Sequence, residues 1–186
     1  MMRFNPNKHK PNQVKPNLKR QFLKKLQPLK SFKMIIDTRE QQPLPIETHC
    51  QVVHKALKDG DYSIEGYEHL FAIELKRMSD LTSYIYAEHE KTSKKKRRFK
   101  QMIDNGGFVA LVIDGVEYKD ILKGYQYGGL TPSHYETFLT RLKLKYGIHI
   151  FASRDSKELA RWVVRHALEF YELQRELEKE GSGADE

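Results

Sequence analysis

Three side chains in the middle of this sequence have the types and spacing for chemistry on a phosphate. Glu74 and Lys76 are two residues apart in Phe71-Ala72-Ile73-Glu74-Leu75-Lys76. That stretch alternates as a strand does, so carboxylate and ammonium share one face, about 6–7 Å apart, while Phe71, Ile73 and Leu75 take the face that buries. Upstream, Asp61 lies in a Gly60-Asp61-Tyr62 turn where a strand changes direction. Two carboxylates and an ammonium around one point suit a hard divalent cation, Mg²⁺ or Mn²⁺, which activates water and stabilises charge on a phosphate. Lys76 then has the chemistry to orient or deprotonate that water, or to neutralise developing negative charge. Metal-assisted phosphodiester hydrolysis needs this pattern.

Spacing alone does not single out this trio. Glu117-Tyr118-Lys119 is a second Glu-x-Lys, and Asp104 precedes Glu117 by the same 13 positions that separate Asp61 from Glu74. Context separates them modestly. Asp104 falls at the end of a helical stretch, and Glu117 follows the Asp114-Gly115 turn, outside the centre of a sheet.

The elements that must position these groups read as an α/β domain with a mixed sheet. Met34-Ile35-Ile36 is a short buried strand, Gln41 to Pro45 a loop, and Gln51 to Leu57 a weak strand before Tyr62-Ser63-Ile64. Ser79 is placed to cap a helix through Leu81, Ile85 and Tyr86. Phe108 to Ile113 is apolar on both faces, which marks a strand central in the sheet. Thr131-Pro132 signals a helix start ahead of Tyr135, Phe138, Leu139, Leu142 and Tyr146. Ile148 to Phe151 is another strand. From about Ser153 a last helix sets Leu159, Trp162, Val163, His166, Phe170, Leu173 and Leu177 on one side. Successive early strands followed by strand–helix alternation give this fold class.

The chain's net charge of +8 is unevenly spread over its 186 residues. Residues 1–33 hold ten basic side chains and no acid, so 34–186 has 23 basic against 25 acidic residues. Pro-Asn recurs at 6–7, 11–12 and 16–17 in that arm, a low-complexity repeat too short and polar to bury anything. The arm reads equally well as a phosphate-seeking tether or as a solvated terminus. A second block, Lys91, Lys94, Lys95, Lys96, Arg97, Arg98 and Lys100, precedes Phe99, Met102 and Ile103 on a helix ending near Asn105-Gly106-Gly107. Seven like charges in ten residues repel one another, and a nucleic-acid backbone is the commonest partner that compensates; a solvated helix face is the alternative. The boundaries expected are a basic arm over 1–32, one domain over 33–180 and an acidic tail over 181–186.

Asp37-Thr38-Arg39-Glu40, Gly60-Asp61-Tyr62 and Glu74-Leu75-Lys76-Arg77-Met78-Ser79-Asp80 occur in the order seen in XPF-type structure-specific nuclease domains, and the similarity runs from about Met34 to Tyr171. These domains belong to the restriction-endonuclease-like, PD-(D/E)xK, superfamily. The resemblance implies a single α/β domain with a central mixed sheet flanked by helices, and a Mg²⁺- or Mn²⁺-dependent endonuclease acting on branched, flap or fork DNA in repair or recombination. It implies in-line attack of water to leave a 5′-phosphate and a 3′-hydroxyl. Asp61 and Glu74 become metal carboxylates, with the Leu75 carbonyl as a further ligand and Asp37 assisting. Lys76 becomes the catalytic lysine, Arg39 and Glu40 line the site, and Asp80 completes the pattern. For Asp37 and Asp80 turn or helix capping is the plainer alternative. Members commonly pair through their nuclease domains, so a homodimer is a further expectation.

Three departures stand out. Leu75 replaces the arginine usual between the glutamate and lysine. The family's Gly-Arg-Leu stretch is matched only loosely by Arg98-Phe99-Lys100-Gln101, and no helix-hairpin-helix module follows. The basic arm and the 91–100 block, with Lys94, Lys95, Lys96, Arg97, Arg98 and Lys100, are therefore expected to supply part of that module's DNA affinity. A non-catalytic DNA-structure-binding partner of another nuclease is the rival reading. Such partners characteristically lose the acidic residues, and Asp37, Asp61, Glu74, Lys76 and Asp80 are all kept here. A sequence-specific restriction enzyme is a weaker third, since no base-reading element is evident.

Other groups suggest little. His49 and His54 flank the lone Cys50 without a Cys-x-x-Cys, which argues against zinc. Tyr84 and Tyr86 are suited to packing or to stacking on a base, and Trp162 to the core. A single cysteine, no apolar run near the ~18 residues of a membrane span and no signal-peptide pattern lead to the expectation of an intracellular protein, cytoplasmic or nuclear according to its host.

Overall fold

The computed structural model describes residues 31–86, 90–124 and 129–182, so the basic repeat of residues 1–30 lies outside the described residues. The strands are β1 (Lys33–Ile36), β2 (Gln51–His54), β3 (Tyr62–Ile64), β4 (Phe71–Arg77), β5 (Phe108–Asp114) and β6 (His149–Ser153). The helices are α1 (Met78–Tyr86), α2 (Glu90–Asp104), α3 (Tyr118–Gly124), α4 (Pro132–Tyr146) and α5 (Ser156–Ser182). The strands form one sheet in the order β2-β1-β3-β4-β5-β6. β3 runs antiparallel to both β1 and β4, while β1–β2, β4–β5 and β5–β6 are parallel. The sheet is therefore mixed, with helices on both faces of one domain, as the sequence led us to expect.

β4 and β5 are interior strands with a neighbour on each side, and β5 is apolar on both faces because helices cover both. Phe71, Ile73 and Leu75 of β4 join Ala110 and Val112 of β5 in a core closed by Leu159, Val163, Ala167 and Tyr171 of α5. On the opposite face Ala72, Val109, Leu111 and Ile113 pack with Leu81 of α1, Phe99 and Met102 of α2, and Leu139 and Leu142 of α4. By strand alternation Glu74 and Lys76 share the face of Ala72, under α1 and α2.

α4 begins where expected. Thr131 precedes Pro132, the Thr131 N–H donates to Nδ1 of His134 (3.0 Å), and Gly147 ends the helix in a left-handed conformation.

Several expectations need correction. β4 passes directly into α1 at Met78, so Ser79 lies inside the helix and does not cap it. Leu173 and Leu177 keep helical spacing but are 57% and 59% exposed, because α5 runs on beyond the core residues it covers. Trp162 is only partly buried, stacked between Phe151 (4.8 Å) and His166 (3.8 Å). α3 was not foreseen, being seven residues long and ending in glycine. Phe32, assigned to the arm, is fully buried and packs edge-on against Tyr171. Among the described residues no helix is long and apolar enough to cross a membrane.

Candidate active site

The Gly60-Asp61 turn is tied into the sheet on both sides. Gly60 has φ +81°, and a Cβ there would sit 3.0 Å from the Ile73 carbonyl oxygen; glycine alone meets both demands. The Asp61 N–H donates to Ile73 O (2.7 Å) and the Asp61 carbonyl accepts from the Asp37 N–H (2.8 Å). The Asp61 side chain is fixed too, since Oδ2 accepts the Leu75 N–H at 2.7 Å. The end of β1 and the middle of β4 thus hold Asp61 beside Glu74.

Glu74 is 3% exposed. A carboxylate so buried requires paired charge, and it has two partners. Lys76 Nζ lies 2.6 Å from Oε1, and Lys95 Nζ of α2 lies 2.5 Å from Oε2. The Lys95 contact lacks hydrogen-bond geometry, so Oε2 is a buried acceptor without a hydrogen bond. Lys76 Nζ also donates to the Leu75 carbonyl (2.9 Å) and lies 4.0 Å from Asp61 Oδ2. One ammonium therefore links both carboxylates and the carbonyl nominated from the sequence.

The charges respond to this packing. Burial, and then the Glu74 charge, push the Asp61 carboxyl up to about 6 against the pull of Lys76. Burial also opposes ionisation of Glu74, but Lys95 and Lys76 outweigh it and hold its carboxyl below the usual value. For Lys76, burial favours the neutral amine, and Glu74 and Asp61 overcome it to raise the ammonium's pKa. Lys76 is thus held as a cation.

Asp37 is occupied differently. Its Oδ1 accepts from Arg39 N (2.7 Å) and Nε (2.8 Å), and its Oδ2 from Arg39 Nη2 (2.7 Å) and the Leu57 N–H (2.7 Å). The Arg39 hydrogen bond holds the Asp37 carboxyl well below the usual carboxylate range. Asp37 here buttresses Arg39 and the backbone rather than presenting a spare oxygen.

These groups open into a cleft of about 480 Å³ whose lining includes Asp37, Asp61 and Glu74 together with Arg39, Lys58, Lys76, Lys94, Lys95 and Arg98. Basic groups outnumber acids there, as a phosphodiester would require. Arg98 makes a forked pair with Asp59, Nε to Oδ1 2.7 Å and to Oδ2 2.9 Å, which fastens α2 beside the Gly60-Asp61 turn. Lys58 and Asp59 were missed in the sequence reading, although both lie in the same Lys58-Asp59-Gly60-Asp61 run.

The remaining nominated residues are spread out. Glu40 Oε1 accepts the Gln42 N–H (2.8 Å), and Asp80 is exposed on α1. Arg97 is exposed, and Lys100 pairs with Asp104. Lys96 is 7% exposed and lies over the rings of Tyr84 (5.6 Å) and Phe138 (4.9 Å). The Leu75 side chain is buried in the opposite core, so a charge at that position would enter that core, away from the cleft. The second Glu-x-Lys is dispersed: Asp104 ends α2, while Glu117 Oε1 accepts the Arg154 N–H (3.4 Å).

Among the described residues no three His, Cys, Asp or Glu side chains gather into one ligand set. Two carboxylates, one of them buried with its Oε2 facing only the Lys95 ammonium, and a backbone carbonyl nevertheless fit a small hard cation. Mg²⁺ characteristically takes one or two carboxylates and completes its shell with water and substrate phosphate.

No curated protein gives a significant match. Among solved structures the chain is similar to XPF from Aeropyrum pernix, at TM-score 0.57 and 24% identity, covering 73% of this chain and 59% of that one. It is likewise similar to XPF from Aeropyrum pernix in complex with DNA, at TM-score 0.57 and 21% identity, covering 76% of this chain and 66% of that one. The chain thus spans about three-fifths to two-thirds of those structures, and the likeness establishes the restriction-endonuclease-like fold. The ERCC4 domain model matches residues 36–166, which contain Asp37, Asp61, Glu74, Lys76 and the basic helix. The chain belongs to the ERCC4 domain family.

Proposed function

We propose that this protein is a Mg²⁺- or Mn²⁺-dependent endonuclease that hydrolyses DNA phosphodiesters at branched, flap or fork structures. The observation that carries this reading is the Asp61–Lys76–Glu74 cluster at the base of a cleft with predominantly basic walls. Nucleases of this family are generally metal-dependent. When bound, such a cation makes water a better nucleophile and neutralises charge on the phosphate.

The chain's own residues do the rest. Asp61 Oδ2 is anchored by the Leu75 N–H, so the carboxylate holds its position without rearrangement. Glu74 is buried and ionised, an acceptor of fixed direction. Lys76, cationic between them, donates to the attacking or leaving oxygen as charge builds there. Arg39, oriented by Asp37 through two side-chain hydrogen bonds, offers its exposed guanidinium to a phosphate oxygen. Lys94, Lys95 and Arg98 extend the positive wall along the backbone of the bound strand. Pairing of two copies, and service in DNA repair or recombination, belong to the same reading.

Cleavage of end-labelled flap, fork, splayed and plain duplex DNA with Mg²⁺, Mn²⁺ or EDTA tests it. Asp61→Asn, Glu74→Gln and Lys76→Ala should each lower metal-dependent cutting by about a hundredfold or more, and Glu117→Ala should leave it unchanged. Branched DNA bound but never cut would replace this reading with a non-catalytic DNA-structure-binding partner.

A further inference from the structure

α2 separates the catalytic cleft from a second hollow. Lys94, Lys95 and Arg98 line the first. Lys96, turned ~100° onward from Lys95 on the helix, lines the second. That second cleft, about 660 Å³, also has His134, Thr137, Phe138, Arg141 and Lys145 of α4 in its lining, and no Asp or Glu.

His134, Thr137, Arg141 and Lys145 recur every three or four residues, so they form one stripe along α4 about 16 Å long at 1.5 Å per residue. Every member is a donor. The Thr131 N–H donates to His134 Nδ1 (3.0 Å), so a neutral His134 ring carries its proton on Nε2 and donates from there. Arg141 and Lys145 are exposed, and among the described residues neither has a carboxylate partner. Like charges left uncompensated along one helix face repel one another, and a polyanion relieves that repulsion.

The two clefts are close. The Tyr84 ring lies 6.0 Å from Lys76 Nζ of the first and 5.6 Å from Lys96 Nζ of the second. A single stripe on one helix grips one strand, and Phe138 and Tyr146 add aromatic surface beside it. We propose that the second cleft holds the phosphate backbone of a single nucleic-acid strand branching from the DNA that occupies the catalytic cleft. The inference rests on the nuclease reading above.

Fluorescence anisotropy in EDTA over a range of salt tests it, with a fork bearing a single-stranded arm and the same duplex without the arm. Arg141→Gln with Lys145→Gln keeps the helix propensity of two exposed positions. Their combined loss should make the slope of log affinity against log salt shallower by about 1.4 on the fork, at about 0.7 per single-strand phosphate contact. Binding of the armless duplex should not change. Thr137→Glu, which removes no base, should also weaken the fork selectively. An unchanged slope on the fork overturns the proposal, and an equal loss on fork and duplex reassigns the stripe to duplex DNA. Metal-dependent cutting of the fork by the wild type, run alongside, separates the two readings. If it cuts and the variants bind as it does, only the second cleft fails; if it neither binds nor cuts, both fail.

Discussion

Lys95 joins the basic helix to the carboxylate site, its ammonium 2.5 Å from Oε2 of Glu74 on a side chain only 3% exposed. A residue whose sequence context suggests DNA contact thus compensates a buried carboxylate. An arriving divalent cation meets that ammonium at the same oxygen. Lys95→Ala should therefore tighten Mn²⁺ binding, by about tenfold, which corresponds to about 1.4 kcal/mol. It should also lower the melting temperature in EDTA, because Glu74 is then compensated by Lys76 alone, and saturating Mn²⁺ should narrow that gap. Mn²⁺ titration by electron paramagnetic resonance and paired melting curves read both effects. Weaker Mn²⁺ binding in the variant would show that Lys95 supports the cation site instead of competing with it.

Asp37 makes acid stability a test of the site's buttress. Its carboxylate accepts from Arg39 and from the Leu57 N–H, and the Arg39 hydrogen bond depresses its pKa in the folded state. A depressed carboxyl stabilises the fold above its unfolded pKa of about 3.9 and loses that contribution as pH falls toward the folded value. Asp37→Asn should cost about 1–3 kcal/mol near neutrality. The gap to wild type should stay level above about pH 5 and shrink below about pH 4. Urea unfolding of both proteins from neutral pH to pH 3 measures it, and a gap that stayed constant throughout would rule out the linkage.

How much of this was legible in the sequence depended on whether the signal was local. Phe108 to Ile113 announced a strand covered on both faces because no polar residue interrupts it, although β5 lies one strand in from the edge, and Thr131-Pro132 announced α4 by its own start chemistry. Glu74 and Lys76 could be assigned to one face because strand alternation needs no tertiary knowledge. The Lys95–Glu74 contact could not be read, because it depends on how α2 lies across β4. The same holds for Lys96, which sits in a charge run indistinguishable from its neighbours until Tyr84 and Phe138 are found beneath it. Ser79 misled because a cap was sought where β4 turns into α1 without a break. Leu173 and Leu177 misled because periodicity reports a helix face and not whether a core still lies opposite it.

Arg98 and Asp59 should separate stability from DNA binding. Their forked pair joins α2 to the run before Asp61, and Asp59 is 9% exposed against 37% for Arg98. Arg98→Gln and Asp59→Asn should each destabilise the fold, and a double-mutant cycle should give a coupling of about 1 kcal/mol. On DNA their effects should oppose. Losing Arg98 removes a cation from the cleft wall and weakens binding, while losing Asp59 removes an anion and releases Arg98 toward a phosphate. Chemical denaturation and anisotropy in EDTA give the two readouts. Weaker DNA binding in Asp59→Asn would mean that Arg98 needs its partner in order to be placed at all.

Gly60 gives the sharpest test of Asp61, because a built-in control lies six residues away. Gly60 and Gly66 both have positive φ, +81° and +90°, so alanine at either position meets the left-handed penalty of about 1–2 kcal/mol. Only at Gly60 does the added Cβ also meet structure, at 3.0 Å from Ile73 O and 3.2 Å from Ala72 Cβ, whereas at Gly66 nothing lies within 4 Å. Relieving that contact moves the turn off β4. The Asp61 N–H then loses Ile73 O, and Asp61 Oδ2 loses the Leu75 N–H. Misplacing a reacting group by an ångström costs about a hundredfold in rate. Gly60→Ala should therefore lose about that much metal-dependent cutting, while Gly66→Ala loses some stability and still cuts. Thermal melts and cleavage assays on the two variants side by side decide the matter. Equal cutting by both would mean that the turn's grip on Asp61 does not set the reaction rate, and the carboxylate pair would lose its place as the reaction centre.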